Sequence, residues 1–120
     1  MKDTKKTDPN LVLLVDSLKA SSREKGVEIW RDIALRLEKP ARSWAEVNLS
    51  RLERYAKEGD IIVVPGKVLG AGAINKKLTV AAYKFSESAK KKIEQAGGRQ
   101  LTIPDLVRES PSGRDVRIMG

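Results

Sequence analysis

Residues 60–72 read Asp60-Ile-Ile-Val-Val-Pro-Gly-Lys-Val-Leu-Gly-Ala-Gly72, and this stretch decides how the rest of the chain folds. Its β-branched run at positions 61–64 is short, which predicts a buried strand. Proline cannot donate to a central ladder and Pro-Gly is a strong turn signal, so we expect the strand to end at Pro65-Gly66. Gly70 and Gly72 allow a positive φ or a close approach to another surface. The stretch therefore predicts the start of a core built from strands and glycine-containing turns.

The sequence patterns differ on the two sides of this stretch. Residues 8–59 show the spacing of amphipathic helices, whereas residues 60–120 mix strands with helices and are more basic. Residues 1–7 are polar and lysine-rich, so they predict a tail that is either solvated or ordered against phosphates. We therefore expect one α+β domain with a basic tail (1–7), a helical N-terminal region (8–59) and an α/β core (60–120).

Two amphipathic helices joined near Gly26 predict an antiparallel helical hairpin. Asp8 suits the N-cap of the first helix, which is expected to end near Ser21-Ser22. The second spans residues 27–38 and ends before Pro40, because the residue before a proline is driven out of helical geometry. The expected buried stripes are Leu11, Leu14, Val15 and Leu18 on the first helix, and Trp30, Ile33, Ala34 and Leu37 on the second.

A third helix is predicted over residues 47–59, with Asn48 as N-cap and Gly59 as a left-handed C-cap. Its exposed side would carry Arg51 and Arg54. The residues expected to share its buried face are Leu49, Leu52, Tyr55 and Ala56.

The segment 39–46, which precedes this helix, has no clear period and is expected to be a loop. Trp44 lies in it, close to Arg42. Two interpretations stay open for this tryptophan. It stacks on unpaired bases, or it fills the underside of the helical hairpin.

The second half of the chain predicts alternating strands and helices. Ser86 suits the N-cap of one helix, and Thr102-Ile-Pro-Asp105 resembles a capping box that starts another. The expected elements are a strand at 78–85, a helix at 86–97, a short strand at 100–102, a helix through 108, a turn at 110–113 and a last strand at 116–118.

Charge is the clearest global signal. Lys plus Arg number 24 and Asp plus Glu number 16, which gives a net charge of +8. The excess lies mainly after residue 60. A small, strongly basic domain suggests a polyanionic partner, most often nucleic acid.

The composition excludes several other functions. There is no cysteine and no histidine, so thiolate metal sites, disulfides and the commonest general base are absent. No run of apolar residues is long enough for a membrane span, and the N-terminus does not resemble a signal peptide. We expect no catalytic residue, no cofactor, no metal and no small-molecule substrate.

A small nucleotide-binding domain or enzyme that uses the turn at residues 66–72 is the alternative function, but its motifs are defective. Gly66-Lys67 lacks the upstream glycine of a P-loop, and Val68 replaces the required Ser or Thr. Gly70-Ala-Gly72 supplies only part of a dinucleotide fingerprint, and a strand rather than a helix is expected after it. A DNA-binding architectural protein is a third, weaker interpretation.

Several motifs, in order and spacing, resemble the eighteen-e family of archaeal and eukaryotic large-subunit ribosomal proteins, and the compact length resembles its archaeal members. They are Lys39-Pro-x-Arg42, Val47-Asn-Leu-Ser-Arg51, Gly59-Asp-Ile-Ile-Val-Val-Pro-Gly-Lys-Val-Leu-Gly70, Lys77-Leu-Thr-Val-Ala-Ala82, Phe85-Ser-Glu-Ser-Ala89, Ala96-Gly-Gly98 and Val116-Arg-Ile118.

The resemblance implies an irregular strand-strand-helix superhelix, shared with the bacterial fifteenth large-subunit protein, behind a helical N-terminal region. It implies a structural, non-catalytic role in the cytoplasmic ribosome, with large-subunit ribosomal RNA and neighbouring ribosomal proteins as partners. We expect long cations to reach phosphates and glycines to permit close approach. The candidate RNA-binding residues are Lys39, Arg42, Arg51, Arg54, Gly66, Lys67, Gly70, Gly72, Lys76, Lys77, Lys84, Arg114 and Arg117.

Overall fold

The computed structural model describes residues 8–120, and the expectations for residues 1–7 lie outside them. The described residues form an α+β fold, which confirms the predicted fold class. The helices are α1 (Pro9–Lys25), α2 (Glu28–Glu38), α3 (Leu49–Tyr55), α4 (Glu87–Gln95) and α5 (Ile103–Glu109), with a 3₁₀ turn at Ala41–Ser43. The strands are β1 (Ala45–Asn48), β2 (Ile61–Leu69), β3 (Thr79–Phe85), β4 (Arg99–Thr102) and β5 (Val116–Ile118).

The strands form one parallel sheet with β2 at its centre. On one edge β2 pairs with β3, which in turn pairs with β4. The other edge is shared, because β5 pairs with the start of β2 at Ile61↔Val116 and β1 pairs with its end at Ala45↔Gly66. The sheet thus joins a strand from the predicted helical region to the predicted core, while the division at residue 60 stays a prediction.

The expectation that Pro65-Gly66 ends the first strand is wrong, because β2 continues through both residues to Leu69. The pairing of β2 with β3 shifts register between Val64 and Lys67, which marks a bulge. On the opposite edge, β5 pairs only up to Val63 and β1 begins at Gly66. Pro65 therefore lies where neither neighbour needs its missing N–H, and a bulge is a position where proline is tolerated within a sheet.

Helices cover both faces of the sheet, so the core has two parts. Alternate positions of β2 enter different clusters: Ile62 and Val64 pack with residues of α3 and α4, whereas Val63 packs with residues of α1, α2 and α5. β3 alternates in the same way. Two-sided burial explains why the strand is a continuous apolar run and not an alternating one.

The helical hairpin forms as predicted, except that α1 is longer. Asp8 accepts a hydrogen bond from the Asn10 amide, which confirms it as the N-cap. The helix passes through Ser21-Ser22 and ends at Lys25, with Gly26 in the left-handed conformation at φ 67°. Ser22 is buried in the helix, so the serine pair does not stop it. On α2 the whole predicted stripe is buried, and Trp30 is fully enclosed.

Residues 39–59 differ from the prediction in three respects. The expected loop contains a 3₁₀ turn and the start of β1, a strand that the sequence did not predict. The third helix begins at Leu49 and ends at Tyr55, with Ala56 and not Gly59 at its C-cap. Asn48 holds the N-cap position, but its side chain accepts a hydrogen bond from Ala71 N instead of capping the helix.

The expected elements of the second half are all present. Ser86 accepts a hydrogen bond from the Ala89 amide at the start of α4. Thr102 accepts one from the Asp105 amide at the start of α5. β3, β4 and β5 occupy the predicted strands to within about two residues, the usual spread of element ends. Residues at the ends of these helices, such as the caps Ser86 and Thr102, mark where they begin, which explains why the local sequence predicted them.

Candidate nucleic-acid interface

The turn that follows β2 is held by two polar side chains of the protein. Lys92 on α4 donates to the carbonyl oxygens of Gly70 at 2.8 Å and Gly72 at 2.9 Å. Asn48 accepts from the Ala71 amide at 3.3 Å. The turn leads into residues 73–78, which are irregular, and not into a helix N-terminus. It therefore lacks the strand–turn–helix geometry that a dinucleotide site requires, and the alternative nucleotide function has no support.

The three candidate glycines all lie against the protein itself. A Cβ added at Gly66 would lie 2.1 Å from the carbonyl oxygen of Ala45 on β1. At Gly70 it would meet the Ser88 hydroxyl at 1.9 Å, and at Gly72 the Ser50 Cβ at 2.6 Å. Internal packing thus accounts for glycine at these positions, and contact of these residues with RNA stays a prediction.

Lys76 and Lys77 are adjacent but differ in environment. The Lys76 ammonium donates to the carbonyl oxygens of Glu53 at 2.6 Å and Ala56 at 2.7 Å, so it caps the C-terminal end of α3. Lys77 is exposed, and the carbon atoms of its side chain run beside Gly97. Of the two, Lys77 has the ammonium that can reach a ligand without breaking internal hydrogen bonds.

Arg51, Arg54 and Tyr55 form one exposed cluster on α3, which we call the α3 cluster. They are neighbours at i, i+3 and i+4, and with Ser50 and Met119 they line an open groove of about 500 Å³. The Arg54 guanidinium carbon lies 5.9 Å from the centroid of the Tyr55 ring, which is a cation–π distance. Tyr55 is 56% exposed, so the expectation that it shares the buried face is wrong. The helix ends at Tyr55, and its buried residues are Leu49 and Leu52.

The acidic side chains next to the α3 cluster face elsewhere. Glu53 Oε1 accepts from the Asn75 amide at 2.9 Å, and Glu58 Oε1 accepts from the Lys77 amide at 3.0 Å. Neither carboxylate pairs with Arg51 or Arg54 within residues 8–120. The two arginines therefore keep their positive charge for a ligand.

Lys67 and Lys84 form a second basic group, which we call the strand-end pair. They are register partners in β2 and β3, so they lie side by side on the sheet, and both are exposed. With Trp44, Tyr83 and Glu46 they line a cavity of about 180 Å³. Neither lysine forms an ion pair with another residue of the described chain. Two like charges at this spacing repel each other, which a bound anion would relieve.

Two aromatic residues beside the strand-end pair are fixed by internal contacts. The Trp44 indole N–H donates to the carbonyl oxygens of Leu37 at 3.2 Å and Lys39 at 3.0 Å, at the end of α2. Its ring meets Tyr83 edge-on at 5.0 Å between centroids. Both residues pack against the cluster that contains the helical hairpin. These contacts favour the structural interpretation of Trp44 over base stacking.

Tyr83 also ties the sheet to the start of α1. Its hydroxyl donates to Asp8 Oδ2 at 2.8 Å. This hydrogen bond is the main cause that holds the pKa of the Asp8 carboxyl below its usual range. Burial, with the same hydrogen bond as a second cause, raises the pKa of Tyr83. The pair fixes the point from which the chain enters the first helix.

The other candidate cations lie on other elements of the structure. Arg117 is paired with Asp60 at 2.9 Å, where the carboxylate is the more buried partner. Arg114 is exposed in the turn before β5, Arg42 is exposed in the 3₁₀ turn, and Lys39 occupies the C-cap of α2. The structure therefore brings together Arg51 with Arg54 and Lys67 with Lys84.

Sequence reasoning missed three residues that shape these surfaces. Tyr55 was expected on the buried face of α3 from its spacing to Leu52, but it is exposed. Lys90 on α4 lines a shallow groove with Lys84 beside β3 and β4. Lys92 extends from α4, and its ammonium binds the turn after β2. No local signal could have revealed the contacts of Lys92, because Gly70 and Gly72 precede it by 22 and 20 residues.

A small basic α+β domain in which some exposed cations, here Arg51, Arg54, Lys67 and Lys84, form no ion pair within the described residues is typical of proteins that bind nucleic acid. Within residues 8–120, no helix is long and apolar enough to cross a membrane, and no acidic cluster could hold a metal ion. A sequence model described as ribosomal protein 60S L18 and 50S L18e matches residues 1–120, so the chain belongs to that family.

Archaeal relatives support the same assignment along nearly the whole chain. The large ribosomal subunit protein eL18 of Halobacterium salinarum is 51% identical over 114 residues, which cover 95% of this chain and 97% of the relative. The protein of the same name from Methanococcus maripaludis is 49% identical, with 99% of each chain covered. That of Archaeoglobus fulgidus is 49% identical, with 96% of this chain and 98% of the relative covered.

These comparisons confirm the resemblance to the archaeal members of the eighteen-e family. The family is one of structural ribosomal proteins and not of enzymes, and the predicted cytoplasmic, ribosomal location follows from membership. The likeness of the fold to the bacterial fifteenth large-subunit protein stays a prediction.

Proposed function

We propose that this protein is a structural constituent of the large ribosomal subunit that binds and stabilises folded ribosomal RNA, next to neighbouring ribosomal proteins. The observation that carries the proposal is family membership along residues 1–120. The net charge of +8 supports it, because a folded RNA concentrates phosphates that a basic protein neutralises. The protein contributes positive charge on a rigid frame, and no chemical step is required of it.

Within this proposal the α3 cluster and the strand-end pair are the principal contact sites. Arg51 and Arg54 present guanidinium groups that can bind phosphate oxygens in a bidentate manner. Lys67 and Lys84 act as point charges at the end of two paired strands. Arg42, Lys77 and Arg114 extend the contact as exposed single cations. Lys76 and the three glycines contribute through internal contacts, since Lys76 caps α3 and the glycines allow β1, α3 and α4 to approach β2 and the turn after it.

The first test measures where the protein sediments. A native cell lysate is fractionated on sucrose gradients at low and at high salt, and the protein is quantified by mass spectrometry. We expect it with the large subunit at one copy per particle. Recovery in the light fractions alone, even at low salt, would contradict the proposal.

The second test assigns the contact to particular charges. The full-length protein is titrated with large-subunit ribosomal RNA over a range of salt concentrations. Replacing Lys67 and Lys84 together by Gln should reduce the slope of log K against log salt by roughly 1.4–1.8, since each phosphate contact contributes about 0.7–0.9.

The matched control removes two cations that already have carboxylate partners. Lys19 pairs with Glu38 at 2.7 Å, and Arg99 pairs with Glu109 at 2.7 Å. The double variant Lys19→Gln/Arg99→Gln has the same net charge as the test variant, and its slope should stay close to that of the wild type. Equal slopes for the two double variants would show that only net charge matters.

A further inference from the structure

We propose that the α3 cluster binds one unstacked nucleobase of the ribosomal RNA on the Tyr55 ring, with the flanking phosphates on Arg51 and Arg54. This inference rests on the proposed function and names the ligand of one of its sites. It differs from phosphate neutralisation alone, because it assigns an aromatic residue a contact with a base in a protein that has only five aromatic residues.

The ring of Tyr55 is exposed to solvent. Four large hydrophobic residues are exposed in the described chain, and Tyr55 is the aromatic one among them, at 56%. Its ring is not needed by the core, whose α3 contribution comes from Leu49 and Leu52. The other tyrosine, Tyr83, is half-buried and hydrogen-bonded.

The two arginines of the α3 cluster lie close to the Tyr55 ring. Arg54 lies over the Tyr55 ring at 5.9 Å, and Arg51 is one helical turn away. An aromatic surface flanked by guanidinium groups is how single-stranded nucleic acids are bound, because bases stack on the ring while the phosphates meet the cations. An open groove of about 500 Å³ lies beside these residues. It leaves room for a nucleotide.

Charge decides between RNA and a protein partner at this surface. Glu53 and Glu58 are turned toward the amides of residues 75 and 77, so no carboxylate of the described chain neutralises the α3 cluster. The groove is lined by Met119 together with the two arginines and Tyr55. A polyanion with a flat aromatic group matches this combination, whereas an apolar protein surface would leave two guanidinium groups buried without partners.

The binding experiment separates stacking from charge. Full-length wild type, Tyr55→Ala, Tyr55→Phe and Arg51→Gln are titrated with protein-free large-subunit ribosomal RNA at several salt concentrations. We expect Tyr55→Ala to weaken binding by roughly 5- to 150-fold with an unchanged salt slope, because base stacking is independent of counterions. Tyr55→Phe should retain most of the affinity. Arg51→Gln should lower the slope by roughly 0.7–0.9.

Leu13→Ala is the matched control, since Leu13 is a large exposed side chain on α1, at 66% exposure. It should bind as the wild type does. Thermal unfolding of all variants checks that the substitutions leave the fold intact. If wild type binds the RNA and Tyr55→Ala binds equally well, this inference is wrong while the proposed function stands. If wild type itself does not bind, the proposed function fails.

Photocrosslinking identifies the neighbour of Tyr55 in the assembled particle. A benzophenone amino acid at position 55 is incorporated in cells, large subunits are irradiated, and crosslinked partners are mapped by sequencing and mass spectrometry. A crosslink to an unpaired nucleotide is expected. A crosslink to another ribosomal protein, to paired nucleotides only, or no crosslink at all would overturn the assignment.

Discussion

Replacing Gly66 by alanine tests whether this glycine serves the protein fold. Gly66 lies in β2 opposite Ala45 of β1, and its φ is not in the left-handed region. Alanine is therefore conformationally allowed, and the only obstacle is the neighbouring strand. The added Cβ would lie 2.1 Å from the Ala45 carbonyl oxygen, 2.9 Å from its nitrogen and 3.0 Å from its carbonyl carbon.

The loss of stability expected for Gly66→Ala follows from these distances. A carbon and a carbonyl oxygen in contact are about 3.3 Å apart, so β1 must move by about 1 Å at Ala45. Overpacking of this kind costs about 1–3 kcal/mol, and a lost strand hydrogen bond adds about 0.5–1.5 kcal/mol. We therefore expect Gly66→Ala to lower the free energy of unfolding by about 2–4 kcal/mol. For a domain of this length the melting temperature should fall by about 8–16 °C.

Urea unfolding followed by tryptophan fluorescence suits this variant, because Trp44 directly precedes β1. The control is Gly26→Ala, where φ is 67° and no atom lies within 4 Å of the added Cβ. That change meets only the left-handed backbone penalty of about 1–2 kcal/mol. If Gly66→Ala is no more destabilising than the control, the steric argument is refuted. A stable Gly66→Ala protein that binds RNA poorly would instead assign the glycine to the RNA contact.

Three further predictions concern internal contacts. Lys92→Met removes both hydrogen bonds to the turn after β2 and should lower stability by about 1–3 kcal/mol, with faster amide exchange in residues 70–72 by mass spectrometry. Tyr83→Phe should raise the pKa of Asp8 toward its ordinary value in an NMR titration. The folded pKa of Asp8 is depressed, so the wild type holds a stability contribution above the ordinary pKa of Asp that is lost as pH falls through the folded value. The variant should show less of this pH dependence, because the backbone amides of Asn10 and Leu11 still lower the pKa of Asp8. Trp30→Phe leaves the Pro111 carbonyl without its 2.9 Å indole donor and should cost about 2–4 kcal/mol in urea unfolding.

Local signals in the sequence predicted the helices that begin at a capping residue. Asp8, Ser86 and Thr102 each cap the helix expected of them. The stripe on α2 is buried in full, since its period matches the helix and its partner lies next in the chain. At these positions, local preference and tertiary packing agree.

The errors arise where distant residues decide the conformation. Pro65 continues a strand because β5 and β1 meet the same edge of β2 on either side of it, an arrangement that no local pattern contains. β1 is a strand because β2 lies beside it, although Val47 and Asn48 have the pattern of a helix start. Long-range pairing overrides local propensity at both places.

The sequence predicted which basic residues are exposed at the candidate interface, but not which of them lie next to each other. Sequence reasoning named Arg51, Arg54, Lys67 and Lys84 from residue type and position. It could not show that Lys67 and Lys84 are register partners, because the bulge in β2 sets that register. It also placed Tyr55 in the core, because the end of α3 depends on where the chain must turn to reach β2.

The shared edge of β2 has a consequence for the order in which the protein folds. β5 closes that edge at Ile61–Val63, yet it is the last strand to be synthesised. Until it arrives, the nascent chain exposes unpaired amides and carbonyls on an apolar strand, which is a template for association with other chains. Parallel pairing between segments far apart in sequence also slows folding. A newly made molecule is therefore most prone to aggregate before residues 116–118 leave the ribosome that translates it.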